Sequence, residues 1–167
     1  MEIRQLKAEE YSLVLENLND VFGKSGNKVV DFTQLLPKIF DGSGECAMRH
    51  FGAFDGEKLA SLVGVYLMPV VIDGEKFQFA TVGNMITRPE YEGLGLMSKV
   101  FAYGMEMART LGAQAVRLGG ARHRYERFGV TPAGNSCRFT ISEKCVKYHR
   151  PWVEIGFSPI GEGDMAA

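Results

Sequence analysis

The sequence predicts one mixed α/β domain, and three observations lead there. An amphipathic helical pattern at residues 11–22 precedes a middle stretch of β-rich runs broken by two Asp-Gly pairs. After Gly93 and Gly95 the apolar period changes from two to ~3.6, and a short apolar run, a basic turn and a further β-rich run follow. Strand, helix, meander, helix, strand, short helix, strand is the order of a single mixed α/β sheet domain.

The elements follow in turn. Met1 to Leu6 alternates as a short first strand does. Tyr11, Val14, Leu15, Leu18, Val21 and Phe22 recur at helical spacing, and Gly23 is placed to cap that helix. Thr33 to Phe40 reads as a short helix, although Pro37 and the surrounding glycines weaken the pattern. Asp55-Gly56 separates Ala47–Phe54 from Lys58–Leu67, and Asp73-Gly74 separates Val70–Ile72 from Phe77–Ile86. Asp-Gly between β-rich runs is the chemistry of tight hairpins, so the middle is an antiparallel meander of at least three strands. Met97, Val100, Phe101, Gly104, Met105, Ala108 and Leu111 then form one apolar helical stripe, which Gly112 ends. Ala115–Leu118 reads as a short buried strand, Arg122–Phe128 as a basic helical turn and Ser136–Ile141 as another strand. The stretch with Pro151, Trp152 and Pro159 is irregular, which sets the expected domain at 1–150 and a tail at 151–167.

Composition narrows the function classes. The chain has 167 residues, 46% hydrophobic and 23% charged, as an ordinary soluble domain has. A net charge of −1 argues against a nucleic-acid surface or a polybasic membrane anchor, so an anion would have to be held locally. Cys46, Cys137 and Cys145 are widely spaced and show no zinc pattern, which fits reduced thiols, no metal and a cytoplasmic location. Met1 opens into a polar stretch with no secretory h-region, and no apolar run reaches the ~20 residues needed to span a bilayer.

The chemical signal is the turn from Thr81 to Ser98. It leaves a strand, passes a Pro-initiated turn and enters a helix through Gly93-Leu94-Gly95. Glycines there let the chain turn sharply, and the first helical N–H groups lack intrahelical acceptors, so the turn suits a pyrophosphate. A Walker P-loop is excluded: Gly23-Lys24-Ser25 follows a helix and lacks the upstream glycine. A dinucleotide fingerprint would need a third glycine at Ser98 and an acidic residue near Ala115–Leu118, and both are missing. A glycine turn with no ligand is the remaining alternative to a phosphate site.

The surroundings of the turn decide. Thr87-x-Pro89-Glu90-Tyr91-x-Gly93-x-Gly95-Leu96 resembles the acyl-CoA-binding motif of the Gcn5-related N-acetyltransferases (GNAT), Val-x-Pro-x-Tyr-Arg-Gly-x-Gly-Ile-Gly. Arg124-Tyr125-Glu126-Arg127-Phe128-Gly129-Val130 looks like the second signature of that family, and Glu2-Ile3-Arg4-Gln5-Leu6 with the helix after it is similar to its start. The resemblance covers residues 1 to about 140. It departs at Glu92, where the family has Arg or Gln, and at Met97, where it has Gly or Ala. A glutamate facing the phosphates would repel them. Met97 is expected to turn into the core.

The resemblance implies a mostly antiparallel sheet, parallel where its halves meet, with helices on both faces. It implies acyl transfer from acetyl-CoA, as co-substrate, to an amine of a small molecule or protein. The acyl-CoA would lie on Glu92, Gly93, Leu94, Gly95, Leu96, Met97 and Ser98. Its pantetheine arm would enter between the splayed strands Gln78–Thr87 and Ala115–Leu118, meeting backbone groups of Met85, Ile86 and Thr87 as in an oxyanion hole. Tyr125 matches the family's general acid, since a phenol is protonated at neutral pH and can donate. The family's usual strand-borne glutamate base is missing. Asn84 stands near that place and can position a water but not take a proton; Glu90 and Glu92 belong to the turn, and His123 reads as solvent-exposed. A catalytically silent acyl-CoA sensor, and the GNAT part of a larger acetyltransferase, are the alternatives, and homo-oligomerisation is compatible with either.

Overall fold

A computed structural model describes residues 1–26, 29–120, 122–133 and 140. The chain divides after Thr131, and every element below lies in the unit Met1–Thr131. Five strands, β1 (Glu2–Gln5), β2 (His50–Asp55), β3 (Lys58–Ile72), β4 (Glu75–Thr87) and β5 (Ala115–Leu118), form one sheet in that spatial order. Pairing is antiparallel from β1 to β4 and parallel between β4 and β5. The helices are α1 (Tyr11–Gly26), α2 (Phe32–Leu35), α3 (Glu45–Met48), α4 (Leu96–Thr110) and α5 (Arg122–Tyr125).

Each face of the sheet carries its own core. On one, Val14 and Leu18 of α1 pack with Phe32, Phe40, Leu59, Leu62 and Ile86. On the other, Val100, Phe101 and Ala108 of α4 pack on Phe51, Ala53, Val63, Val65, Ala80 and Val82. Each large side chain so buried contributes ~1.5–3 kcal/mol relative to exposure. Helices therefore cover both faces of a mostly antiparallel sheet, as the resemblance implies.

The two Asp-Gly turns stand where the sequence puts them, with Gly56 at φ 60° and Asp73 and Gly74 at 52° and 84°. Several boundaries differ. α1 runs through Gly23 to Gly26. Ala47 belongs to α3, so β2 begins only at His50. The Thr33–Phe40 helix is a single turn, begun by the Asp31 carboxylate accepting from the Thr33 amide at 2.9 Å.

β3 does not break before Val70 but continues through Pro69 to Ile72. The Val65 amide donates to the Arg49 carbonyl on the β2 side, so the Pro69 nitrogen, four residues on, faces that side as well. β2 has ended by then, with His50 paired to Gly64, and no ladder bond is lost. β5 exists but is half-exposed, not buried. The expected strand Ser136–Ile141 and the tail from residue 151 lie outside the described residues, Thr140 excepted.

One irregularity positions the site. Between the pairs Gly64↔Gly83 and Leu62↔Ile86, the two residues Asn84 and Met85 oppose Val63 alone. Asn84 takes φ 49°, the left-handed conformation in which asparagine is tolerated. This bulge reverses the strand: Ala80 and Val82 before it face α4, whereas Ile86 after it faces α1.

Candidate functional site

β4 pairs with β5 only from Phe79↔Ala115 to Val82↔Leu118. From Gly83 onward it has no partner on that side among the described residues, and a cavity of about 430 Å³ opens there. Met85, Ile86 and Thr87 line one wall, Tyr125 with His123, Arg124 and Arg127 the other, and Glu92 and Met97 one end. A second cavity of about 440 Å³ shares Thr87, Glu92, Met97 and Arg127 with it and continues over Tyr91, Gly93, Gly95, Leu96 and Ser98. The shared residues make the two one groove, from the end of β4 to the start of α4.

Backbone direction sorts the strand residues. The Arg88 amide donates to the Ala60 carbonyl at 2.9 Å, and the Ile86 carbonyl accepts from Ser61 Oγ at 2.8 Å. The peptide groups of Ile86 therefore face β3, and by alternation those of Met85 and Thr87 face the opening. Ile86 contributes its side chain to the wall.

The turn is braced on both flanks. Arg88 bonds Glu90 at 2.9 Å and the buried Asn17 of α1 at 3.1 Å, while the Tyr91 hydroxyl donates to Asp55 at 3.1 Å. Gly93 and Gly95 are left-handed, at φ 79° and 69°, and a Cβ on either would meet no atom within 4 Å. The backbone, not crowding, requires glycine here, and it leaves the approach to the turn open. The first intrahelical bond of α4 runs from the Lys99 amide to the Gly95 carbonyl, so the Leu96, Met97 and Ser98 amides precede the ladder.

Side chains divide within the turn. Leu96 is buried and Leu94 stands 56% exposed, outside the lining of either cavity. Met97 does not enter the core as expected. It is half-buried against the groove, because the left-handed Gly95 starts the helix with Leu96 as the inward residue. The buried row is accordingly Leu96, Val100, Gly104 and Ala108 with Phe101, and Leu111 is exposed.

Tyr125 reaches the groove from α5, its ring 5.7 Å from that of Phe101. Gly120 makes room for it: a Cβ there would lie 2.9 Å from Tyr125 Cε2. Among the described residues the Tyr125 hydroxyl makes no hydrogen bond.

Arg127 is a residue the sequence reading missed. Its guanidinium reaches back to Ser98 Oγ at 2.9 Å and lies 3.8 Å from Met97 Sδ, placing a cation beside the start of α4. Its place in the basic turn was legible, its direction was not. Among the described residues no group of His, Cys, Asp and Glu is placed to hold a metal.

Comparison with known proteins shows the family and the fold. A family model described as an acetyltransferase (GNAT) domain matches residues 2–133. The fold is shared with a predicted acetyltransferase with acetyl-CoA from Clostridium acetobutylicum, at 14% identity and TM-score 0.68 over 89% of this chain and 99% of that one. A GCN5-related N-acetyltransferase from Ralstonia eutropha aligns at 15% identity and TM-score 0.63, covering 83% and 97%. An acetyltransferase from Trypanosoma brucei aligns at 19% identity and TM-score 0.57, covering 84% and 99%. No curated protein matches the sequence.

Proposed function

The chain belongs to the GNAT acetyltransferase family, and on that premise we propose that it transfers the acetyl group of acetyl-CoA to an amine of a small molecule or protein. The observation that carries the reading is the single groove joining the open α4 amides to the end of β4 that extends past β5, with Tyr125 facing that end. The residues fit the co-substrate. Free amides at a 15-residue helix start, left-handed glycines with open space above them and the Arg127 guanidinium suit a pyrophosphate. The Met85 and Thr87 peptide groups suit an extended amide-bearing arm and a thioester carbonyl.

In this reading the α4 amides and Arg127 hold the phosphates, and Gly93 and Gly95 permit their approach. The Met85 or Thr87 amide, aimed into the opening, stabilises negative charge on the thioester oxygen as the amine nitrogen bonds to the carbonyl carbon. When the C–S bond breaks, the Tyr125 hydroxyl gives its proton to the departing sulfur, while the amine nitrogen loses its proton to solvent and solvent restores the phenol. Among the described residues Glu92 is the one carboxylate lining the groove, and Arg127 brings a positive charge to the same lining.

Acetyl-CoA should raise the melting temperature of the protein by mass action, and thiol should appear when a panel of amines is added. Absence of any thermal shift at millimolar acetyl-CoA would overturn the acyl-CoA reading. Binding without thiol release across the panel would instead favour a silent sensor, and Glu92 would be the first residue to suspect.

A further inference from the structure

A chain of polar groups, buried at His50 and part-buried beyond it, runs from the core to the strand that carries the site. His50 is fully buried, with Nδ1 2.8 Å from the Cys46 carbonyl. A carbonyl only accepts, so Nδ1 carries the proton and Nε2 is left as an acceptor. The Tyr66 hydroxyl, 2.9 Å away, donates to that nitrogen, and Asn84 Nδ2 donates to the phenol oxygen at 2.6 Å. All three groups are neutral. Desolvation pushes His50 down to about 4 and raises Tyr66 from its ordinary value. β3 is cut to admit the phenol: a Cβ at Gly64 would stand 2.5 Å from Tyr66 Oη and 2.8 Å from two ring carbons.

The chain ends on the β4 bulge. Asn84, at φ 49°, holds a backbone conformation that most side chains avoid, and its amide is tethered to a phenol that is itself bonded to His50. The bulge sets the direction of everything after it. Without it, Met85 and Thr87 would present the opposite sides of their peptides.

We propose that Tyr66, anchored on His50, is a positioning residue for acyl-CoA: through Asn84 it locks the left-handed bulge that aims the Met85 and Thr87 peptide groups into the groove. The proposal rests on the acyl-CoA reading above. Tyr66 touches no substrate in it and acts only through Asn84.

Tyr66→Phe removes one hydroxyl and keeps the ring, and the acetyl-CoA Kd should rise about tenfold, ~1.4 kcal/mol. Adding Asn84→Gly to Tyr66→Phe should restore the affinity, because glycine adopts the left-handed backbone with no tether. A role in stability alone predicts a lower melting temperature with unchanged Kd and no rescue, and that result overturns the proposal. Should Tyr66→Phe not fold, Asn84→Ala and Asn84→Gly make the same test: alanine weakens binding about tenfold, glycine does not. Equal affinities overturn the proposal by that route. Wild-type protein that fails to bind acetyl-CoA removes the acyl-CoA reading and this proposal together. A wild type that binds no better than Tyr66→Phe removes this proposal alone.

Discussion

Acidification from pH 7 to pH 5 is expected to cost about 2 kcal/mol of stability through His50 alone. Burial lowers its folded pKa from 6.5 to about 4, and the hydrogen bond to the Cys46 carbonyl opposes the shift only in part. The sign follows from which state takes the proton first. As pH falls through 6.5 the unfolded chain is protonated, while the folded imidazole resists until about 4, so the unfolded state binds more protons between those values. Stability is therefore full above 6.5 and is lost progressively down to about 4. At ~1.4 kcal/mol per pH unit the whole interval comes to ~3 kcal/mol, of which ~2 falls between pH 7 and 5. Glu10 acts in a different window. Its carboxylate, held near about 2 chiefly by the hydrogen bond from Arg4, stabilises the fold above 4.5 and loses that contribution only as pH falls toward 2. Urea unfolding at constant ionic strength, on the wild type and on His50→Gln, measures the effect. The glutamine carries a donor and an acceptor and does not titrate. The wild-type curve should fall across the window while that of the variant stays flat. Parallel curves would mean that His50 accepts its proton in the folded state, and would refute the argument from burial.

The groove yields three more expectations. Tyr125→Phe keeps the packing on Phe101 and should lower turnover ~10²–10⁴-fold with acetyl-CoA affinity little changed; undiminished turnover by thiol release would remove the general-acid role. Gly95→Val puts a branched side chain at φ 69°, a strain of ~1–2 kcal/mol, and should leave a folded protein by circular dichroism that no longer binds acetyl-CoA. Retained binding would move the ligand elsewhere. Glu92→Arg should tighten acetyl-CoA binding more in low salt than in high salt by calorimetry, because a charge at an exposed position is screened. A salt-independent result would mean that the carboxylate points away from the phosphates.

Features that depend on neighbours in the chain were legible in the sequence. The Asp-Gly hairpins and the glycine entry to α4 require backbone angles that few residues adopt, and those residues are written there. Features set by distant partners were not. Nothing near Pro69 says that β2 has already ended, so the strand was expected to break. Gly23 looks like a cap, but α1 carries the chain three residues further. The stripe of α4 was misread where it begins, since the phase of the helix depends on the φ of Gly95. At the site, the paired signatures put β4, the turn and Tyr125 in one region, and the structure lines one groove with them. The Gly83-Asn84 pair inside a strand was a usable sign of a bulge. The direction in which Arg127 crosses the groove had no sign at all, because it depends on how α5 packs.

β3 outlasts its neighbour. From Tyr66 to Ile72 one side of the strand has no partner among the described residues, and Leu67, Val71 and Ile72 stand 44%, 65% and 45% exposed along it. A bare edge of that length, carrying aliphatic side chains, is a template on which another chain can add a strand, and the product of such growth is an aggregate. Pro69 interrupts the template in the middle. Its ring nitrogen stands where an incoming strand would look for a donor, and its ring leaves no room for that strand's carbonyl. The position that most misleads a reader of the sequence, by seeming to break the strand, is the one that makes the exposed edge a poorer template.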